Sequence, residues 1–287
     1  MANPVYLSEQ NIRFFIKNAL AEDIGDGDHS SLGSVPKNKI SHARLLIKDH
    51  GIIAGLSLAE RIFHYVDKSI VIEFYKKDGE FVVNGNVGFV VQGNAQAILG
   101  AERLVLNCLQ RMSGIATYTN RMNQLIRGTK AKLLDTRKTT PNFRLAEKWA
   151  VLIGGGQNHR YGLYDMVMLK DNHIDYAGGV KDAILSTVDY LKRNSLDLKI
   201  EVEVRNLREL EEVLSTGHVQ RVLLDNMLPS AIREAITMIK GRIETEASGG
   251  INEKNIRDIA ETGVNFISVG ALTHSHESLD MSLKAIK

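Results

Sequence analysis

The 287-residue sequence predicts an α/β protein, in which a first part of helices and antiparallel strands is followed by a (β/α) barrel. Three observations carry this prediction. The composition, 44% hydrophobic and 24% charged, is that of a globular chain able to bury a sizeable core. Beyond about residue 115, short apolar runs alternate with amphipathic helical patterns, as parallel strands joined by right-handed crossovers require. The last four of these runs begin about 22 residues apart, and six such units in a row favour a closed barrel over a doubly wound sheet.

The elements follow in order. Residues 8–25, SEQNIRFFIKNALAEDIG, have helical spacing with Ser8 as a cap. HARLLIKDHGIIAG and SIVIEFYKKDGEFVVNGNVGFVVQG read as short strands, and Asp78-Gly79 is a hairpin signal between them. NAQAILGAERLVLNCLQRMSG has the spacing of a well-buried helix. The barrel strands are KLLDT, DMVMLKD, KIEVEV, RVLLDN, IETEAS and FISVGA. Between the last four lie the helices LRELEEVLSTG, PSAIREAITMIK and NEKNIRDIAETG, with Gly217 and Gly263 as stops and Pro229 near a start.

Other classes are disfavoured. A formal net charge of +2 excludes a long nucleic-acid groove, so any basic site is local. One cysteine, Cys108, permits no internal disulfide and points to a reducing compartment. It lies among Leu106, Leu109 and Met112 and reads as core. The N-terminal residues lack a signal-peptide pattern, and no apolar run approaches the roughly 18 residues of a membrane span. A cytoplasmic protein is expected.

Function in a parallel barrel collects at the C-terminal ends of the strands. Read in order, these ends carry Asp135, Arg137 and Lys138; Lys170 to His173; Glu201 and Glu203; Asp225 and Asn226; Ser248, Gly249 and Gly250; and Gly270. The loop GGGQNHRYG adds His159 and Arg160. Cations thus lie on the early strands, carboxylates on the middle ones and glycines on the last two. That segregation fits a small, multiply anionic ligand with distinct parts. Arginine and lysine clamp carboxylates or a diphosphate. Glu203 and Asp225 suit sugar hydroxyls, or Mg²⁺ through water. The glycines let backbone N–H groups approach a phosphate.

Several motifs carry less. EDIGDGDHS lacks the glycine and glutamate placement of an EF-hand and reads as a helix end and turn. GGGQNHR is not a P-loop. His274 and His276 have no supporting metal-ligand pattern. His173 is read as orienting Lys170 or a loop carbonyl, and Arg144 suits either the site rim or a salt bridge.

TRKTTPNFRLAEKWAVLIGGGQNHRYGLYDMVMLKDNHI, EVEV, LLDNM, EASGGI and SVGALT resemble segments of the quinolinate phosphoribosyltransferase family. AEDIGDGDHSS and ERLVLNCLQRMSGIATYT resemble its N-terminal half, so the likeness covers nearly the whole chain. It implies an N-terminal α+β sandwich domain at 1–115, an incomplete TIM-like barrel with the active site at 116–273, and a segment 274–287 returning to the first domain. It implies Mg²⁺-dependent transfer of phosphoribose from phosphoribosyl diphosphate to quinolinate, with decarboxylation to nicotinate mononucleotide. Arg137, His159, Arg160 and Lys170 would hold quinolinate, joined by Arg103 from a neighbouring subunit. Lys138 would lie between the two substrates. Glu203 and Asp225 would serve the ribose and Mg²⁺, and Ser248, Gly249, Gly250 and Gly270 the 5′-phosphate. Lys138, Lys170, Glu203 and Asp225 form the implied catalytic set. A homodimer with shared sites is expected, with a homohexamer also open, and neither nucleic acid nor membrane as partner. The rivals are a non-decarboxylating nicotinate phosphoribosyltransferase, which has less use for a dicarboxylate clamp, and a sugar-phosphate lyase or epimerase, which needs a positioned base.

Overall fold

The computed structural model describes residues 4–286. The chain forms α1 (Glu9–Ile24), α2 (His29–Ser34), β1 (Ile40–Ile47), β2 (Gly51–Ile52), α3 (Leu56–Val66), β3 (Val71–Phe74), β4 (Phe81–Val82), β5 (Val87–Asn94) and α4 (Ala95–Leu125). It continues with β6 (Lys132–Leu134), α5 (Arg144–Ile153), β7 (Val167–Leu169), α6 (Asp171–Ala177), α7 (Val180–Arg193), β8 (Ile200–Val204), α8 (Leu207–Thr216) and β9 (Arg221–Asp225). Last come α9 (Pro229–Ile239), β10 (Glu244–Ser248), α10 (Ile256–Ala260), β11 (Phe266–Ser268), α11 (Ala271–His274) and β12 (Met281–Ile286).

These elements make two compact units. The first takes the described residues up to Asn120, Lys138–Gly155, and those from Leu272 onward. Residues 138–155, counted with the barrel in the sequence reading, therefore belong to the first unit, because Arg111 and α5 tie them there, as described below. Its sheet has the order β12-β1-β5-β3, all antiparallel. β1 pairs with the distant β12 in a register that places Leu45 opposite Leu283. Phe63 of α3 packs edge-on against Phe89 of β5, both fully buried. Ser8 caps α1 by accepting the Asn11 N–H, and Asp28 caps α2 by accepting that of Ser31, so EDIGDGDHS is a helix end and turn.

The Asp78-Gly79 turn is not the expected hairpin. β3 pairs with β5 and β4 with β2, so the strands on either side of the turn go to different partners. Asp78 instead accepts the N–H groups of Leu56 and Ser57, at 2.8 and 3.1 Å, and so caps α3. The dipeptide's turn chemistry and its capping chemistry use the same side chain, and α3, unassigned from sequence, decides between them.

The second unit, Arg121–Arg137 and Gly156–Ala271, holds six parallel strands in the order β6-β11-β10-β9-β8-β7. This is the incomplete barrel. Pro229 opens α9 at its first turn and Gly217 ends α8, as expected. The pattern at 252–263 yields a shorter helix, α10, because Asn252 and Asn255 first build a hydrogen-bonded turn. Alternation along the strands puts Glu201 and Glu203, then Arg221, Leu223 and Asp225, then Glu244, Glu246 and Ser248, each on one face of their strand. Charged residues thus recur at positions where a barrel usually places branched apolar ones.

Candidate active site

The cationic end of the site is built where β6 stops. Asp135, fully buried, accepts the backbone N–H of His159 at 2.9 Å and the Asn158 amide at 2.6 Å. One carboxylate thus fastens the 158–166 loop to the strand end that carries Arg137. The loop closes on itself: Asp165 accepts the N–H groups of Tyr161 and Gly162, at 2.6 and 3.0 Å, and Arg160 Nη1 donates to the Met166 carbonyl at 3.1 Å. Arg160 and Arg137 are both half-buried, and burial followed by the charge of Arg137 lowers the Arg160 pKa from its ordinary value. Two like charges held together in this way form a receptor for anions.

His159 is placed differently from these arginines. Its ring is turned into the barrel interior with both nitrogens engaged. Nδ1 accepts the Arg160 N–H at 2.7 Å, and Nε2 lies 2.9 Å from Glu201 and 3.4 Å from Glu246. Burial opposes charge on the ring, but hydrogen bonds to Glu201 and Glu246 outweigh it and raise its pKa to about 9. Burial, then the charge of Glu246, pushes Glu201 up to about 7. Burial also works against the charge of Glu246, yet His159 and Arg221 hold its pKa below the ordinary value. Arg221 Nη1 meets Glu246 at 3.1 Å, and the guanidinium lies 4.1 Å from the centre of the Phe266 ring. His159, Glu201 and Glu246 have the residue types of a metal site and lie close enough for one. Arg221, 3.1 Å from Glu246, adds positive charge to the same cluster.

The polar end follows along β7 to β10. Lys170 Nζ lies 3.1 Å from Glu203, and His173 Nδ1 accepts the Lys170 N–H at 3.0 Å, so His173 orients Lys170 at the start of α6. Asp225 accepts the Ser248 hydroxyl and the Asn226 amide, each at 2.6 Å. Gly249 has φ +91°, and a Cβ there would collide with the Asn226 side chain, so glycine is required. Gly250 follows at φ +61°, and Gly270 stands between β11 and α11.

The structure therefore brings together Arg137 with Arg160, Lys170 with Glu203, and Asp225 with Ser248. Arg103 and Lys138 belong to the first unit. Arg103 is exposed on α4, a helix that buries Leu104, Cys108 and Met112. The Lys138 carbonyl accepts the Thr273 hydroxyl at 2.8 Å. Beyond it, Arg111 donates to Glu147 at 2.6 Å and to the Thr140 hydroxyl at 2.8 Å, and Glu147 accepts the Thr140 N–H. Arg144 donates to the Thr139 hydroxyl at 2.8 Å and so closes the turn. Asp135, Arg221 and Glu246 were missed as supports of the barrel-end residues, and Arg111 and Glu147 as supports of the turn after Lys138. A signal existed for Glu246: ETEAS repeats the charged alternation of EVEV, and Glu246 lies level with Glu203 across β9.

Comparison with known proteins agrees with this geometry. Residues 28–113 match the N-terminal domain of quinolinate phosphoribosyl transferase, and 115–284 match its C-terminal domain. The chain is 46% identical to the chloroplastic nicotinate-nucleotide pyrophosphorylase [carboxylating] of Arabidopsis thaliana, over 99% of this chain and 84% of that one. It is 38% identical to the probable enzyme of that name from Bacillus subtilis (strain 168), over 96% and 94%. The crystal structure of NadC from Streptococcus pyogenes superposes with a TM-score of 0.90 at 36% identity, covering 100% of both chains. The chain belongs to the quinolinate phosphoribosyltransferase family.

Proposed function

We propose that this chain joins quinolinate to phosphoribosyl diphosphate with loss of one carboxylate, giving nicotinate mononucleotide, CO₂ and diphosphate, a step of NAD biosynthesis. The observation that carries this reading is the pair Arg137 and Arg160, both half-buried and close enough for the charge of one to act on the other, at a barrel whose strand ends also carry Lys170. An acceptor with two adjacent carboxylates relieves their repulsion with bidentate hydrogen bonds, whereas one carboxylate relieves only part of it. This favours quinolinate over nicotinate as the acceptor.

The pyridine nitrogen attacks C1′ of the ribose as the C1′–O bond to diphosphate breaks and the diphosphate leaves with that electron pair. Holding the two partners in line supplies much of the rate. Glu203 and Asp225 face the positive charge that develops on the sugar, and Lys138 and Lys170 face the negative charges around it. The quaternised ring then takes up the electron pair of the C–C bond to its 2-carboxylate as CO₂ departs, and a proton replaces it. Ser248, Gly249, Gly250 and Gly270 receive the 5′-phosphate. Glu203 and Asp225 suit Mg²⁺ by donor type, since that ion takes hard oxygen ligands from one or two carboxylates and the rest from substrate phosphates and water. When bound, Mg²⁺ neutralises diphosphate charge. The exposed Arg103 supports a homodimer in which this arginine serves the partner's site. Among the described residues no helix is long and apolar enough to cross a membrane, and our reading for this chain is the cytoplasm, although the Arabidopsis relative is chloroplastic.

The test is turnover of quinolinate with phosphoribosyl diphosphate and Mg²⁺, beside nicotinate as the control acceptor. Formation of the mononucleotide from quinolinate alone supports the reading. Equal use of nicotinate would overturn its specificity, and no product from quinolinate would overturn it entirely.

A further inference from the structure

We propose that Glu246 and Glu201 are positioning residues for Arg160, acting through His159. The proposal rests on the reading of Arg137 and Arg160 as a dicarboxylate clamp. Arg160 has to present its guanidinium in one orientation, yet it sits in a loop rather than on a strand. Its guanidinium is held by the Met166 carbonyl at 3.1 Å, and its backbone N–H by His159 Nδ1 at 2.7 Å. The imidazole faces Glu201 and Glu246 through Nε2.

That face is fixed in turn. Glu201 and Glu246 are fully buried, on β8 and β10, and close on Nε2 at 2.9 and 3.4 Å. Glu246 is held by Arg221 at 3.1 Å, and Arg221 is itself stacked on Phe266 and paired with Glu244 at 3.1 Å. A continuous ladder of charge therefore runs from the start of β9 and β10 to the backbone of Arg160. Asp135 completes it by holding the His159 N–H at 2.9 Å. Burying such a network gains little stability over apolar side chains of the same volume, and its neighbours Val202, Val204, Val222 and Leu224 show that these strands take apolar residues readily. What the ladder does supply is a single orientation for the loop, which an apolar filling cannot specify.

The test combines binding with hydrogen exchange on the full-length chain. In Glu246→Gln, calorimetric titration should show quinolinate bound roughly tenfold to a hundredfold more weakly, with affinity for phosphoribosyl diphosphate changed by less than about twofold. General damage to the fold would weaken both. Exchange of the 158–166 amides should rise, while that of β8 to β10 stays at the wild-type level. In an Arg160→Lys background the same substitution should add less than about twofold, because both changes act through one guanidinium. Losses that simply multiply, or 158–166 protection that does not change, would overturn the proposal. Glu201→Gln is the second variant where Glu246→Gln does not fold, and failure of both to fold would make the ladder a stability element and also overturn it. A wild-type chain that does not bind quinolinate would refute the functional reading; the positioning role then stands or falls on the exchange of 158–166 alone.

Discussion

Arg160 has two properties that are hard to combine: a charge beside another like charge, and a guanidinium held by the Met166 carbonyl. Arg160→Lys keeps the charge but loses the planar fork, at a cost of about 2 kcal/mol for a charge-assisted pair. Initial-rate kinetics should show this as a KM for quinolinate raised about thirtyfold, with the KM for phosphoribosyl diphosphate nearly unchanged. At the opposite extreme stands Cys108. It is fully buried in α4, and burial pushes its thiol up to about 12, so no thiolate forms near neutral pH. The native chain should resist modification by a thiol reagent over hours and react at once when unfolded in guanidinium. Rapid reaction of the native chain would contradict this burial.

Among the elements, the strand ends and glycine-rich turns were the most legible part of the sequence. Strand alternation at a regular period placed Lys170, Glu203, Asp225 and Ser248 on one end of the barrel without any knowledge of contacts. Three things were not legible, each for a physical reason. Asp78-Gly79 encodes a turn and a helix cap with the same residues, and only the presence of α3 shows which is used. The return of β12 to β1 joins segments more than 230 residues apart, which no local pattern reports and only the family resemblance implied. His159 reads as an anion-clamp residue, and its Nε2 lies against Glu201 and Glu246, far along the chain, which no local pattern reports. The turn between β10 and α10 gives a direct check at this scale. Gly249→Ala forces a Cβ onto Asn226 at φ +91°, so it should displace the hydrogen bond to Asp225 and cost about 2 kcal/mol. A denaturation midpoint equal to wild type would contradict the close approach.

The molecule as a whole should carry the imprint of its buried network in its stability against pH. His159 has its pKa raised from 6.5 to about 9 in the folded chain, so the folded state binds this proton more tightly than the unfolded one. The resulting stabilisation is fully present below about pH 6.5 and lost as pH rises through 9, and amounts to at most about 3 kcal/mol. Glu201, also raised, acts in the same direction at lower pH, its contribution being lost as pH rises through about 7. Urea denaturation between pH 6 and 9.5 should show this decline, and His159→Gln should flatten it. A second test concerns assembly. If Arg103 serves a partner's site, mixed dimers of inactive Arg103→Ala and inactive Lys138→Ala chains should recover about a quarter of wild-type activity when mixed in equal amounts, and no recovery in proven mixed dimers would argue against shared sites. The central claim is that a dicarboxylate enters this site and leaves with one carboxylate fewer. Its most direct measurement is turnover of quinolinate carrying carbon-13 in the 2-carboxylate, with phosphoribosyl diphosphate and Mg²⁺. The account predicts one labelled CO₂ for each nicotinate mononucleotide formed, and an unlabelled mononucleotide; label retained in the nucleotide, or no nucleotide at all, would contradict it.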